Sequence, residues 1–289
     1  MPFPPLPIAA GLMNLHQWGH SASQRLDWIK SVLDLGITVF DHADLYGGYG
    51  NEGLFGEALA LEPAIRSRMF LVTKCDIVLR PPAERAKHYD SSPAYITTQV
   101  ERSLQHLNTD HVEVLLLHRP DPLMNVDETA EVLHKLVSDG KVLHLGVSNF
   151  SPAQFDLLQS RLDVPLVTNQ IQLSLLHVDP LYDGTLDQAQ QHRAQPMAWS
   201  PLAGGRLFTG TDEQSRRAQA KLHEVARRYE KPVDQIALAW ILRLPSRPIP
   251  VLGTGRIDRL AGAVSACDID LDRETWFELL EASRGHEVA

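Results

Sequence analysis

The sequence predicts a closed parallel β/α barrel of the TIM-barrel class, in which eight strands alternate with outer helices. Short apolar runs recur along the 289 residues, and stretches with helical periodicity lie between them. Several runs are apolar throughout, as expected for parallel strands covered on both faces. Such a barrel commonly needs about 250 residues, and no linker or change of composition divides the chain, so we expect one domain over residues 1–289.

The strands are predicted where apolar residues run without the polar alternation of a half-exposed strand. In chain order they are Ile8–Met13, Ile37–Phe40, Met69–Thr73, Val112–Leu117, Val142–Val147, Leu166–Gln170, Pro196–Trp199 and Ile249–Leu252. An open, doubly wound sheet is the main alternative. That fold would carry a GxGxxG turn after an early strand, and the sequence has none.

The helices are predicted from apolar residues at three- and four-residue spacing. Ser92-Pro93 and Ser151-Pro152 each place a capping hydroxyl before a proline suited to the first turn. Gly36 and Gly140 suit the left-handed position that ends a helix. The predicted helices are Gln24–Leu35, Asn51–Ala60, Pro93–Leu107, Asp127–Ser138, Pro152–Gln159, Asp212–Tyr229, Pro232–Leu244 and Arg256–Ala266.

Two connections are longer than a turn requires, namely Asp76–Ser91 and Ser200–Thr211. Long loops in a compact barrel are often lids or binding loops. For Asp76–Ser91 a disordered excursion is an equally good interpretation.

Composition narrows the class of protein. The net charge of −9 argues against a nucleic-acid surface. Cys75 and Cys267 form no paired framework, no apolar run is long enough to span a membrane, and the amino terminus lacks a secretion signal. We therefore expect a cytoplasmic protein with no membrane partner.

Four polar residues stand at or just beyond the ends of predicted strands: Asp41 and Tyr46 in FDHADLYG, Lys74 in MFLVTK and His118 in VEVLLLH. In a parallel barrel the carboxyl ends of all strands share one face, where active sites are built. Singly, His118 is well explained as a hydrogen-bonded core histidine and Asp41 as a loop cap. A buried lysine ammonium needs a partner, however, and four such residues at one face favour catalysis.

These four residue types suit proton delivery to a carbonyl oxygen. A free tyrosine has a pKa of about 10, and we expect the Lys74 ammonium to lower the pKa of Tyr46. Asp41 would hold Lys74, and His118 would orient the substrate oxygen. Nothing in the group can supply a hydride, so a cofactor must.

Seven segments resemble the aldo-keto reductase family in order and spacing: FDHADLYG, LVTKCDI, VLLLHRPDP, GVSNFS, NQIQLS, AWSPLAGG and PVLGTGRIDRL. The first, continued as GYGNEGLFGEAL, looks most like the bacterial YdhF-type subgroup, with histidine after the aspartate in place of threonine. The resemblance implies a TIM barrel that binds NADPH without a Rossmann domain. It also implies that Tyr46 donates the proton, that Lys74 and Asp41 tune it, and that His118 orients the carbonyl.

The resemblance assigns cofactor positions residue by residue. Ser148, Asn149 and Gln170 match residues that hold the nicotinamide carboxamide, and Trp199 matches the aromatic that stacks on the ring. Ser200, Leu202 and Gly204 match the loop around the pyrophosphate, and Gly253, Thr254, Gly255, Arg256 and Arg259 match the turn and helix that take the 2′-phosphate of NADP. A strand-end hydrogen bond for Gln170 and a solvated helix face for the two arginines remain open.

The sequence departs from the family where the adenine would bind. Gly262 and Ala263 stand where many relatives have a Glu–Asn pair, so affinity for the cofactor would depend more on phosphate contacts. The predicted substrate-side residues are Trp18, Tyr49, Leu79 and Arg119. For Arg119 an ion pair with Asp121 is the alternative to substrate binding.

The sequence therefore predicts an NADPH-dependent reductase of small aldehydes or ketones that works as a monomer without a metal. One alternative is a regulatory subunit of the same fold that binds NADPH without catalysis. A second is a barrel enzyme that forms a Schiff base at Lys74.

Overall fold

The computed structural model describes residues 2–79 and 86–289, and within them eight parallel strands close into a barrel. Two further short strands, β4 and β5, lie outside the barrel. In chain order the strands are β1 (Ala9–Gly11), β2 (Val39–Asp41), β3 (Phe70–Cys75), β4 (Ile77–Val78), β5 (His88–Tyr89), β6 (Val112–Leu117), β7 (Val142–Ser148), β8 (Leu166–Gln172), β9 (Met197–Trp199) and β10 (Ile249–Leu252). Around the barrel the order is β1-β10-β9-β8-β7-β6-β3-β2, and β1 closes it by pairing with both β2 and β10. The predicted fold class is confirmed, and each predicted apolar run overlaps one barrel strand.

Helices surround the barrel. They are α1 (Ala22–Asp34), α2 (Tyr46–Tyr49), α3 (Asn51–Leu61), α4 (Pro93–His106), α5 (Val126–Ser138), α6 (Pro152–Gln159), α7 (Thr185–His192), α8 (Arg206–Thr209), α9 (Glu213–Tyr229), α10 (Val233–Leu242), α11 (Ile257–Ala266) and α12 (Arg273–Arg284). Ser92 and Ser151 cap α4 and α6 as predicted, since each hydroxyl accepts a backbone N–H three residues on. Gly36 and Gly140 follow α1 and α5 with φ of 83° and 72°.

The predicted helices and strands do not include α2, α7, α8, α12, β4 or β5. The segment of α7, TLDQAQQH, is mostly polar, so it shows little apolar periodicity. The strands β4 and β5 are two residues each and pair antiparallel, which makes part of the Asp76–Ser91 loop a short hairpin. Residues 80–85 of that loop lie outside the described residues.

The core has an outer and an inner layer. The outer layer fills the space between strands and helices. The inner layer fills the barrel with side chains from seven of its strands: Ala9, Val39, Val72, Val114, Leu116, Val167, Met197, Ile249 and Val251. Phe3 packs on this layer, with its ring 5.1 Å from that of Phe70 at the start of β3. The amino-terminal end of the barrel is thus filled, and the carboxyl end is left to polar residues.

Candidate active site

The carboxyl ends of β2, β3 and β6 bring the four predicted catalytic residues together. Asp41 is the last residue of β2, Lys74 is the next to last of β3, and His118 directly follows β6. The chain after β2 stays bound to β3, because Asp44 N donates to Lys74 O at 3.0 Å. The next turn therefore carries Tyr46 over Lys74, whose Nζ lies 5.0 Å from the centre of the tyrosine ring.

The ammonium of Lys74 is the centre of this group. It is fully buried and donates to both oxygens of Asp41 at 2.8 Å, to His42 O at 2.6 Å and to Tyr46 Oη at 3.3 Å. Burial acts to lower the pKa of Lys74, but its interactions with Asp41 and Tyr46 outweigh burial and hold the pKa above its usual range. Lys74 is thus a charged donor at the end of β3.

The pKa of Tyr46 is raised overall, contrary to the expectation that the Lys74 ammonium would lower it. Burial raises the pKa of the Tyr46 phenol above 10, the Lys74 ammonium acts to lower it, and the Asp41 carboxylate acts to raise it again. The loss of water around the phenol outweighs the cation because Asp41 offsets much of its field. Tyr46 therefore holds its proton at neutral pH, as a proton donor must.

The His118 ring stands edge-on to Tyr46, with ring centres 6.0 Å apart at 79°. Burial, helped by the charges of Lys74 and Arg119, lowers the pKa of His118 well below 6.5. Within the described residues, its Nδ1 has no hydrogen-bond partner. A neutral imidazole beside a protonated phenol can orient the oxygen of a carbonyl group.

A second polar chain joins β7, β8 and β9. Trp199 Nε1 donates to Asn149 Oδ1 at 2.9 Å, Asn149 Nδ2 donates to Ser148 Oγ at 2.7 Å, and Ser148 Oγ donates to Gln170 O at 2.9 Å. The side-chain amide of Gln170 points elsewhere, because its Nε2 donates to Asp41 Oδ1 at 2.8 Å. Gln170 thus joins this polar chain to the Lys74 group. Its amide makes a hydrogen bond at the end of a strand, which is the alternative role that the sequence leaves open for Gln170.

The predicted phosphate-binding segments follow β9 and β10. Ser200 and Gly204 have φ of 50° and 63°, so the backbone after β9 curls through left-handed conformations around Leu202. Gly253, Thr254 and Gly255 connect β10 to α11. The N-cap of α11, Arg256, provides no side-chain hydrogen bond, so the N-cap side chain leaves the start of the helix free for an anion, although Arg256 N donates to Thr254 Oγ1 and Asp258 interacts with first-turn N–H groups.

The two predicted arginines of α11 differ in their contacts. Arg256 forms an exposed ion pair with Asp258 of the same helix, so its guanidinium is partly committed to that carboxylate. Arg259 lies exposed on the helix.

The four predicted substrate-side residues do not share one position. Trp18 packs on Trp28 and lies beside Gly255 in the predicted phosphate turn, and its role as a substrate residue stays a prediction. The Tyr49 hydroxyl accepts from Leu79 N at 3.0 Å and donates to Ile77 O at 3.3 Å. These contacts fix the base of the β4–β5 hairpin.

Arg119 lies at the mouth of the barrel, with its guanidinium carbon 5.9 Å from the centre of the Trp199 ring. The alternative ion pair with Asp121 is wrong, because the Asp121 carboxylate instead accepts from Ser91 N, Ser91 Oγ and Leu123 N. The positive charge of Arg119 therefore faces the site.

Three buried carboxyl groups near Lys74 were missed by the sequence analysis: Asp44, Glu52 and Asp76. Burial, with a contribution from Glu52, raises the pKa of Asp44 to about 8. Glu52 accepts from the Thr73 hydroxyl. The signal in the sequence is weak, because an acid beside a turn such as ADLYGG is more often a cap.

Comparison with known proteins identifies the family. The Aldo/keto reductase family model matches residues 7–284. The chain belongs to the aldo-keto reductase family. The oxidoreductase YdhF of Escherichia coli is 47% identical over 280 residues, 96% of this chain and 93% of YdhF. A 6-dehydroglucose reductase of Agrobacterium fabrum is 45% identical over 264 residues, 90% of this chain and 88% of that protein.

Solved structures of aldo-keto reductases have the same fold. The glycerol dehydrogenase of Gluconobacter oxydans superposes with a TM-score of 0.84 at 27% identity, covering 97% of this chain and 92% of that one. An aldo/keto reductase of Klebsiella pneumoniae in complex with NADP and acetate gives 0.77 at 28% identity, covering 97% and 91%. The predicted family, its YdhF-like character and its class as an oxidoreductase that uses a nicotinamide cofactor are confirmed.

Within the described ranges, no group of three or more His, Cys, Asp or Glu side chains is placed to hold a metal ion. Among the helices described, none combines the length and apolar character that crossing a bilayer requires.

Proposed function

We propose that the protein reduces aldehydes or ketones with NADPH and that Tyr46 is the proton donor. The observation that supports this most is the contact of the Tyr46 hydroxyl with the buried Lys74–Asp41 pair, with neutral His118 edge-on to the Tyr46 ring. When bound, the reduced nicotinamide supplies the hydride that these side chains cannot.

The side chains divide the work on the substrate oxygen. His118 and Tyr46 donate hydrogen bonds to the carbonyl oxygen and fix its position. As negative charge develops on that oxygen, Tyr46 transfers its proton to it. The phenolate left behind is stabilised by the Lys74 ammonium, 3.3 Å away. The raised pKa of Tyr46 keeps the proton in place beforehand, and the ammonium stabilises the ion formed afterwards.

The chain fits a phosphorylated dinucleotide. The uncapped start of α11 offers backbone donors to a phosphate, and a Cβ at Gly253 would meet only Asn14 Nδ2, at 3.8 Å, so a ligand can approach closely. Arg259 adds positive charge on the same helix. Asn149 and Ser148 would hold the carboxamide, and Trp199 would stack on the ring.

For the substrate we propose a small aldehyde rich in hydroxyl groups. Two relatives named 6-dehydroglucose reductase support this class, at 45% and 36% identity. The guanidinium of Arg119 at the barrel mouth is a suitable donor to such oxygens.

The Schiff-base alternative is disfavoured by the environment of Lys74. An amine must lose its proton to attack a carbonyl, yet Lys74 is held as an ammonium by Asp41 with its pKa raised. The regulatory alternative is disfavoured because all four catalytic residues meet in one site. A monomeric state, a cytoplasmic location and a single domain over the whole chain stay predictions.

The deciding experiment is a panel of aldehydes, ketones and quinones followed by loss of NADPH absorbance. Tyr46→Phe should bind NADPH like the wild type and lose about 10²–10⁴-fold in turnover. Tyr182→Phe, at an exposed tyrosine, is the matched control. Unchanged turnover in Tyr46→Phe would remove Tyr46 from its role. A wild type that binds NADPH and reduces no carbonyl would favour the regulatory alternative.

A further inference from the structure

We infer that Asp76 is a positioning residue, whose buried carboxylate fixes the backbone that carries His118 and Arg119. The inference rests on the proposed function, in which those two side chains meet the substrate. Asp76 directly follows β3, is completely buried and belongs to neither the catalytic group nor the cofactor segments.

The need for Asp76 arises where the β3–β6 ladder ends. The last paired residues are Cys75 and Leu117, and the next backbone bond runs from His118 N to Cys75 O at 2.9 Å. At Asp76 the chain turns away from β6 with φ of 100°, and its carbonyl accepts from Asp90 N at 2.8 Å. The backbone of β3 thus offers no further acceptor to the strand beside it.

The Asp76 side chain supplies that acceptor. Both carboxylate oxygens lie 3.1 Å from Arg119 N. Consecutive backbone N–H groups of His118 and Arg119 are therefore held by consecutive residues, first by a carbonyl and then by a carboxylate. A carboxyl oxygen accepts this hydrogen bond whether or not the group is ionised, so the peptide between His118 and Arg119 is held at both of its ends.

This anchor matters because little else holds the His118 ring. Its Nδ1 has no partner in the described part of the chain, and the ring touches Tyr46 only edge-on. The direction of the imidazole is thus set by its backbone and by packing. A displacement of about 1 Å at a reacting group can lower a rate about 100-fold.

The environment of Asp76 also disfavours both an ionised carboxyl group and any residue other than glycine. A buried carboxylate loses its hydration, and a positive φ strains any residue other than glycine. Burial raises the pKa of Asp76, and the nearby carboxyl groups of Asp44 and Asp121 act in the same direction. Strained and buried polar residues cluster at functional sites, where the surrounding structure holds them in place.

Two variants remove the acceptor by different routes. Asp76→Gly also relieves the positive φ, whereas Asp76→Ser keeps a side chain that is too short to reach Arg119 N. Each should lower kcat/KM for a reducible aldehyde by about 10–100-fold while the Kd for NADPH stays within about twofold. Asp76→Asn, which keeps an acceptor oxygen, should retain activity within about fivefold. Amide hydrogen exchange at Arg119 should be about tenfold faster in Asp76→Gly and Asp76→Ser than in Asp76→Asn.

Asn108→Gly is the matched control, because Asn108 also has a positive φ but lies at the other end of the barrel, before β6. Its kcat/KM should equal that of the wild type. Wild-type kcat/KM in a folded Asp76→Gly or Asp76→Ser protein, with or without faster exchange at Arg119, would overturn the inference. If one of these two variants does not fold, the other is sufficient for the test. A wild type without carbonyl turnover would instead count against the proposed function, and the exchange rates would still test the anchor.

Discussion

At the scale of single residues, the Lys74–Asp41 pair affects stability as well as the chemistry that we propose. Both side chains are buried, and the two oxygens of Asp41 receive Lys74 Nζ at 2.8 Å. A buried pair adds little stability compared with apolar residues, but removing one partner leaves the other charge uncompensated. A variant at Lys74 therefore needs a second variant that also removes the charge of Asp41, so that the effect of the unpaired charge on stability can be measured.

We predict that Lys74→Met lowers the free energy of unfolding by about 3–5 kcal/mol, because Asp41 remains buried and unpaired. Adding Asp41→Asn should recover part of that loss, and we expect neither protein to be active. Urea unfolding followed by circular dichroism measures the difference. A double variant less stable than Lys74→Met would show that the buried charge is not the cause.

Asp44 predicts how stability depends on pH. Its pKa is about 8 in the folded chain, against an ordinary value near 3.8, so the folded state binds a proton more tightly than the unfolded state. Stability should therefore fall as the pH rises from about 4 to about 8 and then level off.

In Asp44→Asn that loss between pH 5 and pH 8 should be smaller than in the wild type, as measured by urea midpoints at several pH values. Asp163→Asn, at an exposed position, should follow the wild type. Parallel curves for Asp44→Asn and the wild type would show that Asp44 does not cause the pH dependence.

At the scale of elements, the turn between β10 and α11 is shaped by a neighbouring loop. A Cβ at Gly255 would lie 2.9–3.2 Å from three indole atoms of Trp18. Trp18 is itself held by Trp28, with ring centres 4.9 Å apart. The indole thus supports the backbone that we propose for phosphate binding.

We predict that Gly255→Ala raises the Kd for NADPH about tenfold, or about 1.4 kcal/mol, because Trp18 or the turn must move. Gly53→Ala on α3 is the control, since no atom lies within 4 Å of the added Cβ. That control should bind NADPH normally and gain up to about 1 kcal/mol of stability. Fluorescence titration measures both, and equal Kd values for the two variants would contradict the role of Trp18.

The sequence predicts elements better than contacts. Apolar runs locate the barrel strands because burial on both faces leaves a signal in each run, and strand ends bring Asp41, Lys74 and His118 to one face. The pKa of Tyr46 depends on a balance between burial and two charges, which no local pattern reveals. The bond from Gln170 to Asp41 spans 129 residues of sequence and is equally hidden.

At the scale of the whole molecule, the two ends of the barrel differ in polarity. The carboxyl end carries the polar groups, whereas Phe3, which is 8% exposed, packs on the apolar interior at the other end. Changes at the amino-terminal end should alter stability without altering the site.

We predict that Phe3→Ala lowers the free energy of unfolding by about 3 kcal/mol and the Tm by roughly 10 °C. Its Kd for NADPH and its turnover below the transition should equal those of the wild type. Phe277→Ala, at a 37% exposed ring, should lower the Tm less. Calorimetry provides the measurement, and a change in Kd at constant Tm would contradict the separation of the two ends.

The amide of Gln170 reaches Asp41 across the full width of the barrel, because β8 and β2 stand four places apart in either direction around the ring. Residues that we propose for reduction and cofactor binding therefore also connect opposite walls of the barrel. A relative that lost Asp41 would therefore also lose the hydrogen bond between β8 and β2. We expect such a relative to have another contact that joins these two walls of the barrel.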